Sequence, residues 1–482
     1  MRLTDMPTEI LCEILCLLPP CMILKCVTVS RTWHKTILAS PALQYVVQLW
    51  KDGLVPGHDS SSSSDKSRAL DERRRAWANL AWTSQTVVGM PRLSSCRAFE
   101  LRSGILAIQY RGPDFSTLPL QDLDSDAPVH THDLGIDMEQ FEDFTIDPPQ
   151  DLLVVFLHSA PGQAGLVFET LSDHQPHPLA RCPTITFPAG NIRPVLSSIQ
   201  IADDVIGASV FKEGRFSLCF WNWRQGEWLA ESSGRKTPSH FRFISSRAFI
   251  EAVPRGNGCI NICIIDAEDG CEGARIIQIA TLRLPELSTG YSLTFAGVHG
   301  GACCHRPMPK RPFFSADARR IYLLHLQYNY SELWTRLFVH HRTLYEYVSR
   351  YERDGPYQPL DVPWEDWGPQ QTRLLHGDDY GWAGHTYGER VVLPIGDSIQ
   401  LLDFNPAIVG PPESSEAVAE EENGLHAAPS TLDEPFENPV ATYLPYRSTM
   451  RRVDENLGVF FLDQDHIIGT NTLEDKFTVF AF

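Results

Sequence analysis

The sequence predicts an α+β molecule of two unequal parts: a small all-α unit at the N-terminus, then a large all-β domain built as a degenerate propeller of six or seven blades. Three observations carry this reading. Apolar residues recur at helical spacing from Pro7 to Leu18, and Pro19-Pro20 ends that helix. From about Arg97 the pattern changes to short apolar or alternating runs bounded by glycine, proline and aspartate, the mark of strands. The all-β span, 96–482, is too long for one sandwich, whereas a propeller hides many short strand edges at that length.

Within the N-terminal unit, Ile10, Ile14, Leu17 and Leu18 share one helical face, and Pro7 suits a first turn, where its missing N–H costs nothing. Leu11, Leu15, Cys12 and Cys16 widen the apolar stripe and leave Glu9 and Glu13 as the wet strip. A second short helix from about Met22 to Thr28 and a third from Ser30, with Trp33 and Ile37 one turn apart, cover one side of the first but not both. A unit of about 40 residues is near the lower limit for folding alone, so the uncovered apolar surface reads as a docking face. An ordinary helical subdomain packed on the rest of the chain is the plainer alternative.

The same residues carry a resemblance. Met6-Pro7, Glu9-Ile10, Leu18-Pro19 and Val29-Ser30-Arg31-Thr32-Trp33 follow the order and spacing of an F-box, the adaptor-binding motif of SCF-type ubiquitin ligases, over roughly residues 3 to 45. Met6 stands where the family has leucine, and Cys21-Met22 where it has a polar start to the second helix. The resemblance implies contact with a Skp-type adaptor, and through it a cullin, by Pro7, Ile10, Ile14, Leu17, Leu18, Pro19, Ile23, Leu24, Val29 and Trp33.

Composition bounds the partners. The 482 residues are 43% hydrophobic and 10% aromatic, ample for a sizeable core, and the net charge of -19 argues against nucleic acid or an anionic membrane surface. Twelve cysteines without a short-spaced framework suit a reducing compartment, cytoplasm or nucleus. Asp5, Glu9, Glu13 and the double proline interrupt the N-terminal apolar run, so it reads neither as a secretory signal nor as a span.

Three segments follow from these patterns: residues 1–45, residues 46–95 as linker and bridging helix, and residues 96–482 as the β domain. Lys51 to Asp65, with its run of serines, reads as a flexible linker. Ser67 to Trp82 reads as a helix with Leu70, Trp77 and Leu80 near one face and Arg73, Arg74 and Arg75 on a solvated one. Candidate strands include Gly104–Tyr110, Asp151–His158, Gly165–Leu171, Val205–Phe211, Phe216–Trp223, Phe249–Val253, Ile260–Asp266, Ile276–Leu282, Arg319–Leu326, Arg390–Leu393, Ser398–Phe404, Leu457–Asp463 and Ile467–Thr470. The alternating Phe477–Phe482 suits a final strand that pairs with an early one and closes the ring. Residues 411–438, with Glu420-Glu421-Glu422, read as a mobile acidic loop.

Asn222-Trp223 before a Gly226 turn resembles the tryptophan-aspartate signature of WD-repeat blades, without a regular period. Phrases such as Val362-Pro-Trp364-Glu-Asp-Trp367, Leu402-Asp403-Phe404-Asn405-Pro406 and Leu444-Pro-Tyr446-Arg447 resemble fungal F-box proteins with a propeller-like C-terminal domain. They assign no chemistry, because tryptophan, glycine and proline at such places usually fix blades and turns.

No nucleophile elbow, phosphate loop, dinucleotide fingerprint or zinc-protease helix is present in the sequence. His299, Cys303, Cys304 and His305, with Cys259, Cys263 and Cys271 upstream, lack the spacing of a structural zinc site, and no metal or cofactor is implied. Asp203-Asp204 and Asp378-Asp379 read as turns; Trp364, Trp367, Tyr380 and Trp382 read as partner anchors or as core. The resemblance therefore implies a non-catalytic substrate receptor of an SCF-type ligase whose propeller holds a target protein. The alternatives are an F-box scaffold without a ubiquitylation role, and a propeller hydrolase, which requires clustered buried acids or a metal at the axis.

Overall fold

Strand pairing sets the architecture of this computed structural model, which describes every residue except 1–5, 58–60, 91–92, 122, 124–128, 161, 189–194, 213, 233, 235–239, 267–274, 304–310, 331–332, 356, 378–384, 408–423, 454–456 and 472. Seven antiparallel sheets follow one another as the blades of a β-propeller. Blade 1 runs from Cys96–Arg102 at its inner edge to His130–Asp133, blade 2 from Phe141–Asp147 to Thr184–Pro188, and blade 3 from Val195–Ala202 to Glu227–Glu231. Blade 4 runs from His240–Ser245 to Arg275–Arg283 and is widened by Leu360–Val362, which pairs parallel to its outer strand. Blade 5 spans Leu293–Gly300 to Thr372–Gly377, and blade 6 spans Thr386–Tyr387 to Tyr446–Arg452.

Blade 7 needs both ends of the chain. Its strands Val459–Leu462, His466–Asn471 and Lys476–Ala481 are completed by Ser84–Gly89, paired from Ser84 opposite Ala481 to Gly89 opposite Lys476. The closing role expected of Phe477–Phe482 is what the ladder shows. Apolar residues of neighbouring blades meet face to face; Val154 and Phe156 of blade 2, for example, share a cluster with the fully buried Trp221 and Trp223 of blade 3. A large side chain buried this way contributes about 1.5–3 kcal/mol. The Asn222-Trp223 corner is held by polar contacts, with Asn222 Nδ2 donating to Asp204 Oδ2 (2.7 Å) and Trp223 Nε1 to the Asp203 carbonyl (3.0 Å).

Before the ring stand five helices: α1 (Thr8–Cys16), α2 (Pro20–Val27), α3 (Arg31–Ala39), α4 (Pro41–Lys51) and α5 (Ser63–Ala78). Linker behaviour expected from Lys51 onward is not what the described residues adopt. Leu54–Pro56 pairs antiparallel with Phe313–Ser315, and Tyr45, Leu49, Leu54, Leu70 and Phe313 form one buried cluster. Helix α5 spans 63–78, and Ser84–Gly89 belongs to the propeller. Arg73, expected on a solvated face, is 9% exposed: its guanidinium donates to the Gln464 carbonyl (2.6 Å) and lies 3.4 Å from Asp465. Arg74 pairs with Asp52 at 2.9 Å.

Two helices inside the propeller were not expected, α6 (His341–Asp354) and α7 (Trp364–Gln371). In α6 the apolar stripe is thin, with Leu344 and Val348 buried and tyrosines making up most of the rest. Gly368-Pro369 makes α7 read as loop, yet Gly368 lies against the Trp364 ring, where a Cβ would come within 2.2 Å of Cε3. Trp364 and Trp367 are therefore core, 6% and 3% exposed. In the stretch expected to be a mobile loop, residues 408–423 lie outside the described residues, but 424–438 carry structure. Gly424–His426 pairs with Tyr446–Arg452, Ser430–Leu432 pairs with Val440–Thr442, and Leu432 and Phe436 are buried.

Candidate functional site

Helices α1 to α4 build the first candidate site by dividing their apolar residues between a core and a surface. Leu15, Ile23, Ile37, Leu43 and Val47 form the core. Leu17 at the end of α1 is 85% exposed, Val29 after α2 69%, and Ile10 43%. The turn between α1 and α2 is stiff, with Leu17 N–H bonded to the Ile14 carbonyl (3.2 Å) and Leu18 N–H to that of Leu15 (3.0 Å), before two prolines start α2. Ser30 caps α3, its Oγ accepting from Trp33 N–H at 3.2 Å. Burial, with Cys12 and Glu13 close by, pushes the Cys16 thiol up from its ordinary value.

Of the residues selected by resemblance, Pro7, Ile10, Leu17, Pro19 and Val29 are exposed, and Ile14, Leu18, Leu24 and Trp33 are half-buried. Ile23 is fully buried in the core of the unit. Met22 and Leu38 are exposed apolar residues outside that selection; Leu38 follows the buried Ile37, so helical geometry alone turns it outward.

At the propeller axis lies a cavity of about 530 Å³, lined by the inner strands of all seven blades. An inner strand has one free edge, and here side chains lace it to the next blade. Arg97 donates to the Met138 and Phe141 carbonyls, and Glu100 Oε2 accepts from Ile146 N–H at 2.8 Å. Gln200 Nε2 donates to the Phe241 carbonyl at 2.8 Å and Arg242 Nε to that of Val298 at 3.2 Å. Burial pushes the Glu100 carboxyl up, with Arg102 opposing it, and pushes Asp143 up to about 7, opposed by the Phe144 N–H and reinforced by Glu100 and Glu142. On the far wall burial drives His240 down to about 4 and His299 well below its usual range. The acid cluster that a hydrolase requires is thus represented at the axis by Glu100 and Asp143.

Other candidate residues find plainer places. Asp203 and Asp204 sit at a turn, with Asp204 paired to Arg247 at 2.8 Å. Buried Cys303 donates to the Ile244 carbonyl, and Cys259 and Cys263 share one strand. Cys271, Cys304, His305, Asp378, Asp379, Tyr380 and Trp382 lie outside the described residues. Among the described residues no group of three or more His, Cys, Asp or Glu side chains is placed to hold a metal ion, and no helix is long and apolar enough to cross a membrane.

Residues 3–43 match the family model described as F-box-like. The N-terminal helices are an F-box-like domain. No curated protein sequence matches the chain. Among solved structures, the computationally designed Ika8 protein is 8% identical with a TM-score of 0.35, covering 83% of this chain and 100% of its own. The WD40 domain of SCAP from fission yeast is 8% identical with a TM-score of 0.34, covering 81% of this chain and 85% of its own. Hsv2 from Kluyveromyces lactis is 8% identical with a TM-score of 0.29, covering 51% and 68%. The F-box-like domain is fastened to the propeller by α4 and α5: Tyr45 Oη donates to the Pro312 carbonyl (3.1 Å), Asn405 Nδ2 to that of Lys51 (2.9 Å), and Trp77 stacks on Phe482 with centroids 3.9 Å apart.

Proposed function

We propose that this chain is a substrate receptor of an SCF-type ubiquitin ligase, acting in cytoplasm or nucleus, with the F-box-like domain docking a Skp-type adaptor and the propeller holding a target protein. The observation that carries the reading is Leu17, an aliphatic side chain left 85% exposed at the end of α1 on a unit whose core is closed by Leu15, Ile23, Ile37, Leu43 and Val47. Such a side chain costs solubility unless a partner covers it, and Val29 and Ile10 extend the surface it offers. The receptor's work is positional: it concentrates target lysines beside a charged conjugating enzyme and needs no reacting group of its own.

The test is co-expression with a Skp-type adaptor and size-exclusion chromatography of the intact chain, Leu17→Asp, and a chain lacking residues 1–40. Truncation stops there because Tyr45 and Leu49 belong to a buried cluster that includes Phe313. A complex formed by the intact chain and lost in both variants supports the reading. A well-folded intact chain that forms none refutes it. If the complex forms but deleting the chain stabilises no protein in cells, the scaffold alternative holds.

A further inference from the structure

Away from the axis, the seam between blades 1 and 2 brings two imidazoles together. The outer strand of blade 1, His130–Asp133, is exposed along its length, and His130 and His132, two residues apart in a strand, share one face. That face is turned toward blade 2, because Phe115, directly opposite His132 in the ladder, lies in a buried cluster with Phe141 and Phe144. The turn that follows Gln163–Thr170 of blade 2 delivers His174 to the same place, its ring centroid 4.5 Å from that of His132 and the two planes tilted by 50°.

The histidine of the turn lacks the bonds that burial demands. Its backbone is held in the left-handed region at φ 54°, its side chain is 9% exposed, and among the described residues neither ring nitrogen has a hydrogen-bond partner. A buried polar atom left unbonded is costly, so these nitrogens call for a ligand. Glu169 Oε2, likewise buried and unbonded, stands 3.9 Å from His174 Nδ1, too far for a hydrogen bond. Burial and the neighbouring His132 push His174 below its ordinary value, which keeps the ring in the neutral form that ligates metals, while Asp173 and Asp151 act on it in the sense that favours a cation.

We infer that His132 and His174 bind one divalent ion of the zinc and copper class across the seam between blades 1 and 2, with Glu169 as the carboxylate behind His174. His174 ligates through Nε2 and turns its Nδ1–H to Glu169, an arrangement that fixes the tautomer and strengthens the ligand. Such ions hold imidazole nitrogens about 2.0–2.1 Å away, so two nitrogens sharing one ion lie within about 4 Å of each other. Rings with centroids 4.5 Å apart reach that separation by rotation, and the exposed His132 is the ring free to move. Two imidazoles are fewer ligands than a closed structural site uses, so water fills the remaining positions. The bound ion ties the exposed outer strand of blade 1 to its neighbour, a role independent of the receptor reading.

The experiment is calorimetric titration of the full chain with zinc near neutral pH, exposed thiols first blocked with N-ethylmaleimide so that cysteines do not compete. The expected result is an ion whose affinity falls at least about tenfold in His132→Gln, in His174→Asn and in Glu169→Gln. Asparagine tolerates the left-handed backbone at position 174, and His132 is exposed, so both histidine variants are expected to fold. Melting temperatures without metal check this; should His174→Asn fold poorly, His132→Gln decides. Zinc is expected to raise the melting temperature of the unaltered chain and not of the variants. Copper(II) in place of zinc gives a second readout, an electron paramagnetic resonance coupling to imidazole nitrogen that the same variants lose. The inference is overturned if no ion binds, or if His132→Gln and His174→Asn leave the affinity unchanged, which marks an adventitious ion only. It is equally overturned if binding requires His130 and His132 but not His174, which places the ion on the outer strand alone. Failure of metal binding leaves the receptor reading untouched, and loss of the adaptor complex leaves the metal site untouched.

Discussion

Ile23 and Leu17 lie one helix apart, and their burial gives them opposite roles. Ile23 is fully buried, so Ile23→Ala should cost the helical unit about 2–5 kcal/mol through lost contacts and a cavity. Leu17→Ala should leave stability nearly unchanged while weakening adaptor binding. Chemical denaturation followed by adaptor pull-down separates the two; equal loss of stability would refute the division into core and face. Burial also sets a pH dependence. His240 and His385 are driven down to about 4 and His325, His340 and His341 to about 3, so all five stay neutral when folded. The unfolded chain protonates them below about pH 6.5, so their contribution falls away as pH drops below that value. Asp143 and Glu389, both pushed up to about 7, act in the opposite sense: they keep protons in the fold that the unfolded chain releases above about pH 4.5, and their contribution is lost as pH rises toward 7. Five groups outweigh two, so melting temperature should climb from pH 5 to about pH 7; a flat or falling profile would contradict this account.

At the scale of elements, the closing ladder of blade 7 is where one change should act most widely. Phe480 is 1% exposed in the strand next to Ser84–Gly89, and Phe480→Ala should cost about 3–5 kcal/mol. Hydrogen exchange should show protection of residues 84–89 falling with it. The ladder was legible in the sequence because Phe477–Phe482 alternates, and the middle strands because they are apolar runs: Leu152–Ala160 was expected at 151–158, and Val205–Lys212 at 205–211. Several inner strands were not legible, for a physical reason. Their free edges and the axial cavity select Arg97, Glu100, Gln200 and Arg242, which break the apolar pattern that identifies a strand. The cavity carboxyls were missed for the same cause, since their meeting depends on blade order and on no local spacing. The resemblance that selected Ile23 beside Leu17 follows sequence order, which does not tell the buried Ile23 from its exposed neighbours.

For the whole molecule, the junction between helices and ring is polar, layered and tight. Arg73 sits among Trp77, Phe313, the Gln464 carbonyl and Asp465, while Arg311 holds the other side of Asp465 at 2.8 Å. Arg73→Ala should cost about 3 kcal/mol, because it strands a buried acceptor and uncouples an ion pair. Limited proteolysis should then cut between α4 and blade 1 at protease levels that leave the unaltered chain whole; unchanged resistance would mean that Trp77 and the 54–56 strand suffice. The pairing of Ser84–Gly89 with Lys476–Ala481 also bears on how the molecule is made. A ribosome delivers residue 89 long before residue 476, roughly 20–80 s earlier at 5–20 residues per second. Throughout that interval the 84–89 strand waits with neither edge paired while six other blades emerge and fold. Residues 476–481 convert an open arc into a ring, and a nascent chain interrupted before them leaves the 84–89 strand still seeking its partner.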